Sequence, residues 1–122
     1  MELKILPDEL IVCKLAELPS EDMPEGFFSL TRTDQEISLV CATAKVPVNT
    51  TDREDGWRAF RIEGILDFSL IGILAKISAV LAEKKIGIFV VSTYNTDYIL
   101  VKSEKLEEAA MALQAAEYIV TK

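Results

Sequence analysis

The order in which hydrophobic periodicity changes between Trp57 and Val120 constrains this chain more than any other feature. Trp57-Arg58-Ala59-Phe60-Arg61-Ile62-Glu63 largely alternates apolar and polar residues, the period-two pattern of a half-buried strand. Leu70, Ile71, Leu74, Ile77, Ser78 and Leu81 then fall on one helical face, and Gly87 is placed to end that helix. Ile88-Phe89-Val90-Val91-Ser92-Thr93 is a continuous strand-forming run, suited to a central strand. Asn95-Thr96 supplies a turn into the strand Asp97-Tyr98-Ile99-Leu100-Val101-Lys102. Ser103 is a candidate N-cap, with Glu104 and Glu107 near the start of a helix containing Leu106, Ala109, Ala110 and Leu113. Tyr118-Ile119-Val120 is a short last strand. The sum is βαββαβ, the ferredoxin-like arrangement of an α+β fold.

The half before this pattern is strand-rich and holds no long helix. Leu10 to Leu15 reads as a strand, and residues 19–26 as a loop punctuated by Pro19, Pro24 and Gly26. Phe27 to Thr33 and Ile37 to Thr43 form a hairpin around Thr33-Asp34-Gln35-Glu36. Strand, connection and hairpin match the first half of a plait, so this region is expected to be a degenerate copy of the same module. Pro47 to Gly56 is polar and aperiodic, which reads as a linker or long surface loop. The expected division is therefore residues 1–50 and residues 56–122.

Charge and composition exclude several functions. A net charge of −7, with Lys84-Lys85 the only adjacent basic pair, opposes binding to nucleic acid or to an anionic membrane. No apolar run approaches the about 20 residues of a membrane-spanning helix, and Met1 to Pro7 is too short and too acidic for a signal peptide. Cytoplasmic residence is the resulting expectation. The chain has no histidine and only two cysteines, Cys13 and Cys41, each in an apolar strand, so buried reduced thiols are expected and no metal site or cofactor. Without histidine, general-base chemistry would fall to a retuned carboxylate, lysine or tyrosine. Neither a phosphate-binding GxxxxGK[ST] loop nor a GxSxG or GxGxxG motif occurs. An enzyme is not expected.

Two segments break local rules and would meet in a plait. Gly64-Ile65-Leu66-Asp67-Phe68-Ser69-Leu70-Ile71-Gly72 crosses from the first strand into the first helix. Asp67 or Ser69 can cap that helix, and Gly72 is expected in its first turn. A missing Cβ there either admits a ligand to the helix end, whose amides can hold a carboxylate, or relieves crowding against a strand. In Ser92-Thr93-Tyr94-Asn95-Thr96-Asp97-Tyr98 an apolar strand ends in hydroxyls, an amide and a carboxylate. Asp97 can pair with an ammonium group oriented by the hydroxyls of Thr93 and Thr96. The same residues also make a plain hairpin.

On these motifs, together with Ile62-Glu63-Gly64 and Ile99-Leu100-Val101, the region from Trp57 to Val101 resembles the ACT domains of small prokaryotic proteins. It is similar, more distantly, to the regulatory ACT domains of aspartate kinase and to cytosolic arginine sensors of animals. The resemblance implies a tandem ACT-like protein with sheets paired side by side and a free amino acid held between modules. It implies ligand contacts at Asp67, Ser69, Ile71, Gly72, Thr93, Thr96 and Asp97. The N-terminal half departs from a full ACT module in lacking a first helix. The leading expectation is a non-catalytic sensor binding an amino acid; the alternative is a ligand-free ACT-like interaction module sealed by Ile65, Leu66, Phe68 and Ile71. Pairing of exposed sheet edges predicts a homodimer, although two modules within one chain can satisfy each other and leave a monomer.

Overall fold

A computed structural model describes residues 1–20, 23–66 and 71–122. Two compact units emerge, one formed by Met1–Pro7 with Arg58–Lys122, the other by Asp8–Trp57. The linker expected over Pro47 to Gly56 is largely a strand: β5 runs Thr50–Ile62, giving its first part to one unit and its last part to the other. Its polar residues Thr51 to Asp55 are exposed, so strand pairing rather than burial holds them extended. That is why periodicity missed them.

In the unit containing the C-terminus, the strands are β1 (Glu2–Ile5), the end of β5, β6 (Phe89–Ser92), β7 (Asp97–Lys102) and β8 (Ile119–Thr121). Helices α1 (Ile73–Glu83) and α2 (Leu106–Ala115) complete the expected βαββαβ order. The strands lie in the order β8-β1-β5-β7-β6. β1, unforeseen and sequence-distant, enters between the first and last strands of the plait. It pairs antiparallel with β5 (Leu3 opposite Ile62, Ile5 opposite Phe60) and parallel with β8. The residues set aside as a non-signal N-terminus thus build the middle of a sheet.

One face of this sheet carries the core. Leu3, Ile5, Phe60, Ile62, Ile99 and Val101 project to the same side and pack with Ile77 and Leu81 of α1 and Ala109 and Leu113 of α2. Each large aliphatic side chain so buried contributes about 1.5–3 kcal/mol. The run Ile88 to Thr93, expected as a central strand, is an edge: among the described residues β6 pairs only with β7. Its unbroken apolar stretch is half buried, which shows that such a run reports shielded faces and not position in the sheet.

Both helices end in the same way, and for α1 this departs from expectation. α1 stops at Glu83, before Gly87; Lys85 adopts φ 60°, its amide reaching Ala82 O and that of Ile86 reaching Leu81 O. α2 repeats this with Glu117 at φ 74°, and with Tyr118 N–H donating to Leu113 O. These are paired terminal bonds of the Schellman type, each made by a non-glycine residue in the left-handed region. Ser103 does not cap α2; residues Ser103–Lys105 form a 3-10 turn leading into it.

The other unit contains β2 (Leu10–Leu15), β3 (Phe28–Arg32), β4 (Ile37–Ala42) and the first part of β5, ordered β3-β4-β2-β5. The β3–β4 hairpin closes through Thr33 N–H to Glu36 O, as its turn residues required. Among the described residues this unit has no α-helix, only the 3-10 turn Thr43–Lys45. Its core is Ile11, Cys13, Leu15, Leu39 and Cys41, and both cysteines are buried free thiols. Burial pushes both thiols up, Cys41 from 9.0 to about 11. Among the described residues no helix is long and apolar enough to cross a membrane.

Candidate functional site

A cleft of about 270 Å³ opens where the β5-to-α1 connection meets the β6–β7 turn. Its lining includes Leu66, Gly72 and the first three residues of α1 on one side, and Ser92 through Asp97 on the other. The two segments singled out in the sequence therefore do meet.

Gly72 is the N-cap of α1, not a residue of its first turn. Its φ of 83° is a conformation that strains any residue with a Cβ, and a Cβ built there would meet nothing within 4 Å. Glycine is thus demanded by backbone conformation, not by crowding against a strand. The N-cap residue is a glycine and has no side chain to cap the helix, and Asp67 and Ser69, expected as caps, lie outside the described residues. The first turn carries no acidic residue either. The amides of Ile73, Leu74 and Ala75 precede the first intrahelical bond, made by Lys76 N–H to Gly72 O, and all three residues line the cleft. A helix start with a glycine N-cap and a partial positive charge thus forms one wall.

The opposite wall is fixed by Thr96. At 7% exposure it is the buried polar residue of this region, and its hydroxyl donates to Ile62 O at 2.6 Å. Its carbonyl accepts from both the amide and the hydroxyl of Thr93, at 2.8 and 2.9 Å. Leu66 N–H donates to Asn95 O at 2.7 Å, joining the turn directly to the β5–α1 connection. The two threonine hydroxyls expected to orient a ligand donate instead to backbone carbonyls. Asp97, half buried at the start of β7, brings a carboxylate to the cleft.

Of the seven residues expected at the site, Gly72, Thr93, Thr96 and Asp97 line this cleft. Ile71 is 91% exposed and is not among its lining residues. Asp67 and Ser69 lie outside the described residues. Ile73, Leu74, Ala75, Ser92, Tyr94 and Asn95 were not selected as contacts from the sequence, and Leu66, expected only as a residue that seals the site, lines the cleft as well. Ser92, Tyr94 and Asn95 stood within the quoted motif, but the amides left without intrahelical partners at a helix start belong to the backbone, which side-chain identity does not reveal. Among the described residues no group of three or more His, Cys, Asp or Glu could hold a metal ion.

The helical unit is thus a ferredoxin-like plait with a cleft at the join of its first strand and helix. The ACT domain family profile matches residues 52–115, more than half of the chain, and the chain belongs to that family. A second profile, described as an N-terminal domain, matches residues 11–49. The fold is similar to the crystal structure of an Agrobacterium tumefaciens protein, with 36% identity over 98% of this chain and 90% of that one and a TM-score of 0.87. A Vibrio cholerae protein of unknown function, described as a possible transport protein, matches with 18% identity over 93% of this chain and 88% of that one, at TM-score 0.70. Clostridium acetobutylicum aspartate kinase, described as an allosteric enzyme, matches with 14% identity over 93% of this chain and 34% of that one, at TM-score 0.65. At these lower identities the likeness is one of fold. No curated protein sequence matches the chain.

Proposed function

We propose that this ACT-domain protein is a non-catalytic regulatory sensor that binds a free amino acid in the cleft between α1 and the β6–β7 turn. One observation carries this reading: the start of α1, where the N-cap is a glycine, and Asp97 line the same cleft. The amides of Ile73 to Ala75 offer donors for an α-carboxylate, and Asp97 offers an acceptor for an α-ammonium. The size also fits, since about 270 Å³ lies at the small end of ligand pockets, suited to a metabolite. Asp67, Ser69 and Ile71 are proposed as further contacts on the resemblance alone. The N-terminal half is proposed as an ACT-like half without helices, and the working form as a cytoplasmic homodimer paired through a free sheet edge.

A thermal-shift screen of the purified protein against the common L-amino acids tests this. A ligand at about 100 times its dissociation constant adds about 2.7 kcal/mol, a rise on the order of 10 °C for a chain of this length. Asp97→Ala should abolish that rise while the ligand-free melting temperature stays within a few degrees. An unchanged rise in the variant would remove Asp97 from the site, and no rise with any amino acid would overturn the sensor reading.

A further inference from the structure

We infer that the cleft selects against amino acids with an acidic side chain, taking those with uncharged or cationic side chains. This rests on the amino-acid reading above and adds a specificity to it. The charge complement of the lining carries the inference. Among the described residues, Asp97 is the only charged side chain lining the cleft, and no lysine or arginine does so. The rest of the lining is aliphatic, notably Leu66, Ile73 and Leu74, or hydroxyl and amide groups.

A zwitterion is matched by this arrangement, with its carboxylate at the helix start and its ammonium at Asp97. A second carboxylate has no remaining cation to meet. Thr93 and Thr96 cannot substitute, because their hydroxyl protons are already given to the carbonyls of Thr96 and Ile62. A side-chain carboxylate would therefore exchange hydration for aliphatic surface and, at most, neutral hydroxyl and amide groups, while facing the like charge of Asp97. An uncharged side chain incurs neither penalty, and a cationic one gains from Asp97. Glutamate against glutamine and aspartate against asparagine isolate the effect, since each pair differs in charge at nearly constant shape.

The test is isothermal titration of the full chain with the L-amino acids individually, those two pairs included. The expected result is that the tightest binder lacks a side-chain carboxylate and that glutamate and aspartate each bind at least about tenfold more weakly than it does. In Asp97→Asn the ratio between glutamine and glutamate should narrow wherever both are measurable. Either dicarboxylate binding within tenfold of the tightest ligand overturns the selectivity while leaving the amino-acid reading intact. Binding of no amino acid at all overturns both.

Discussion

The two units follow the same strand plan and differ in what covers it. In the unit with the C-terminus, β5, β6, β7 and β8 take plait positions and two helices connect them, closing one sheet face over Phe60, Ile62, Ile77 and Leu113. In the other, β2, β3, β4 and the first part of β5 occupy the corresponding positions, with β4 between β2 and β3 and β5 beside β2. There the first crossover carries Pro19 and Pro24, which remove backbone donors and fix φ, and among the described residues it holds no helix. A strand plan can thus persist on pairing and a small core of Ile11, Leu39 and Cys41. A cleft built on a helix start cannot persist without a helix, and the described cleft belongs to the helical unit.

The largest effect should come from removing the side chain both helices rest over. Phe60→Ala is expected to destabilise the helical unit by about 3–5 kcal/mol in urea unfolding followed by helical circular dichroism. A loss under about 1 kcal/mol would mean the helices do not depend on that core, and the contrast between units would fail.

The strand-rich unit can be probed through its thiols. Burial raises Cys41 in the folded state, so folding favours the protonated form. That contribution is fully present below pH 9.0 and is lost as pH rises toward about 11. Stability measured across this window should fall, and Cys41→Ser should flatten the part of the slope due to this thiol. Cys13 is raised in the same direction by its own burial, and its charge adds to the rise of Cys41, so the two thiols are coupled. A slope identical in Cys41→Ser and parent would show that Cys41 ionisation does not load this unit.

Smaller still is the effect expected at the cleft. Thr96→Val preserves shape but leaves Ile62 O without its hydroxyl partner, an expected cost of about 1–3 kcal/mol. Faster hydrogen exchange at Leu66 N–H should accompany it, because that amide is held by the neighbouring Asn95 carbonyl. Thr96→Ser should restore both. Unchanged Leu66 exchange in the valine variant would separate the buried hydroxyl from the geometry of the cleft.

The smallest changes concern left-handed residues bordering α1. Gly72→Ala should cost about 1–2 kcal/mol from backbone strain alone, since its Cβ has open space. At the other end Lys85→Gly relieves the same strain but frees the unfolded chain, for a net gain of about 0.5 kcal/mol. Opposite signs at the two ends are the diagnostic result in thermal unfolding.

The sequence by itself determined the βαββαβ order, the two-stranded turn around Thr33 to Glu36 and the faces buried by Ile77, Leu81, Ala109 and Leu113, because each is a local periodicity or turn chemistry. It also marked Gly72 and Asp97 as departures from local rules. Tertiary structure alone decided where β1 goes, since Leu3 and Ile5 become core only when β5 and β8 present their edges. It alone extended Thr50 to Gly56 into a strand, where pairing with β2 overrides a polar pattern. It turned Thr93 and Thr96 from ligand donors into braces, because the carbonyls that take their protons arrive from the fold. Side-chain pattern is a property of neighbours along the chain; backbone hydrogen-bond partners are a property of neighbours in space.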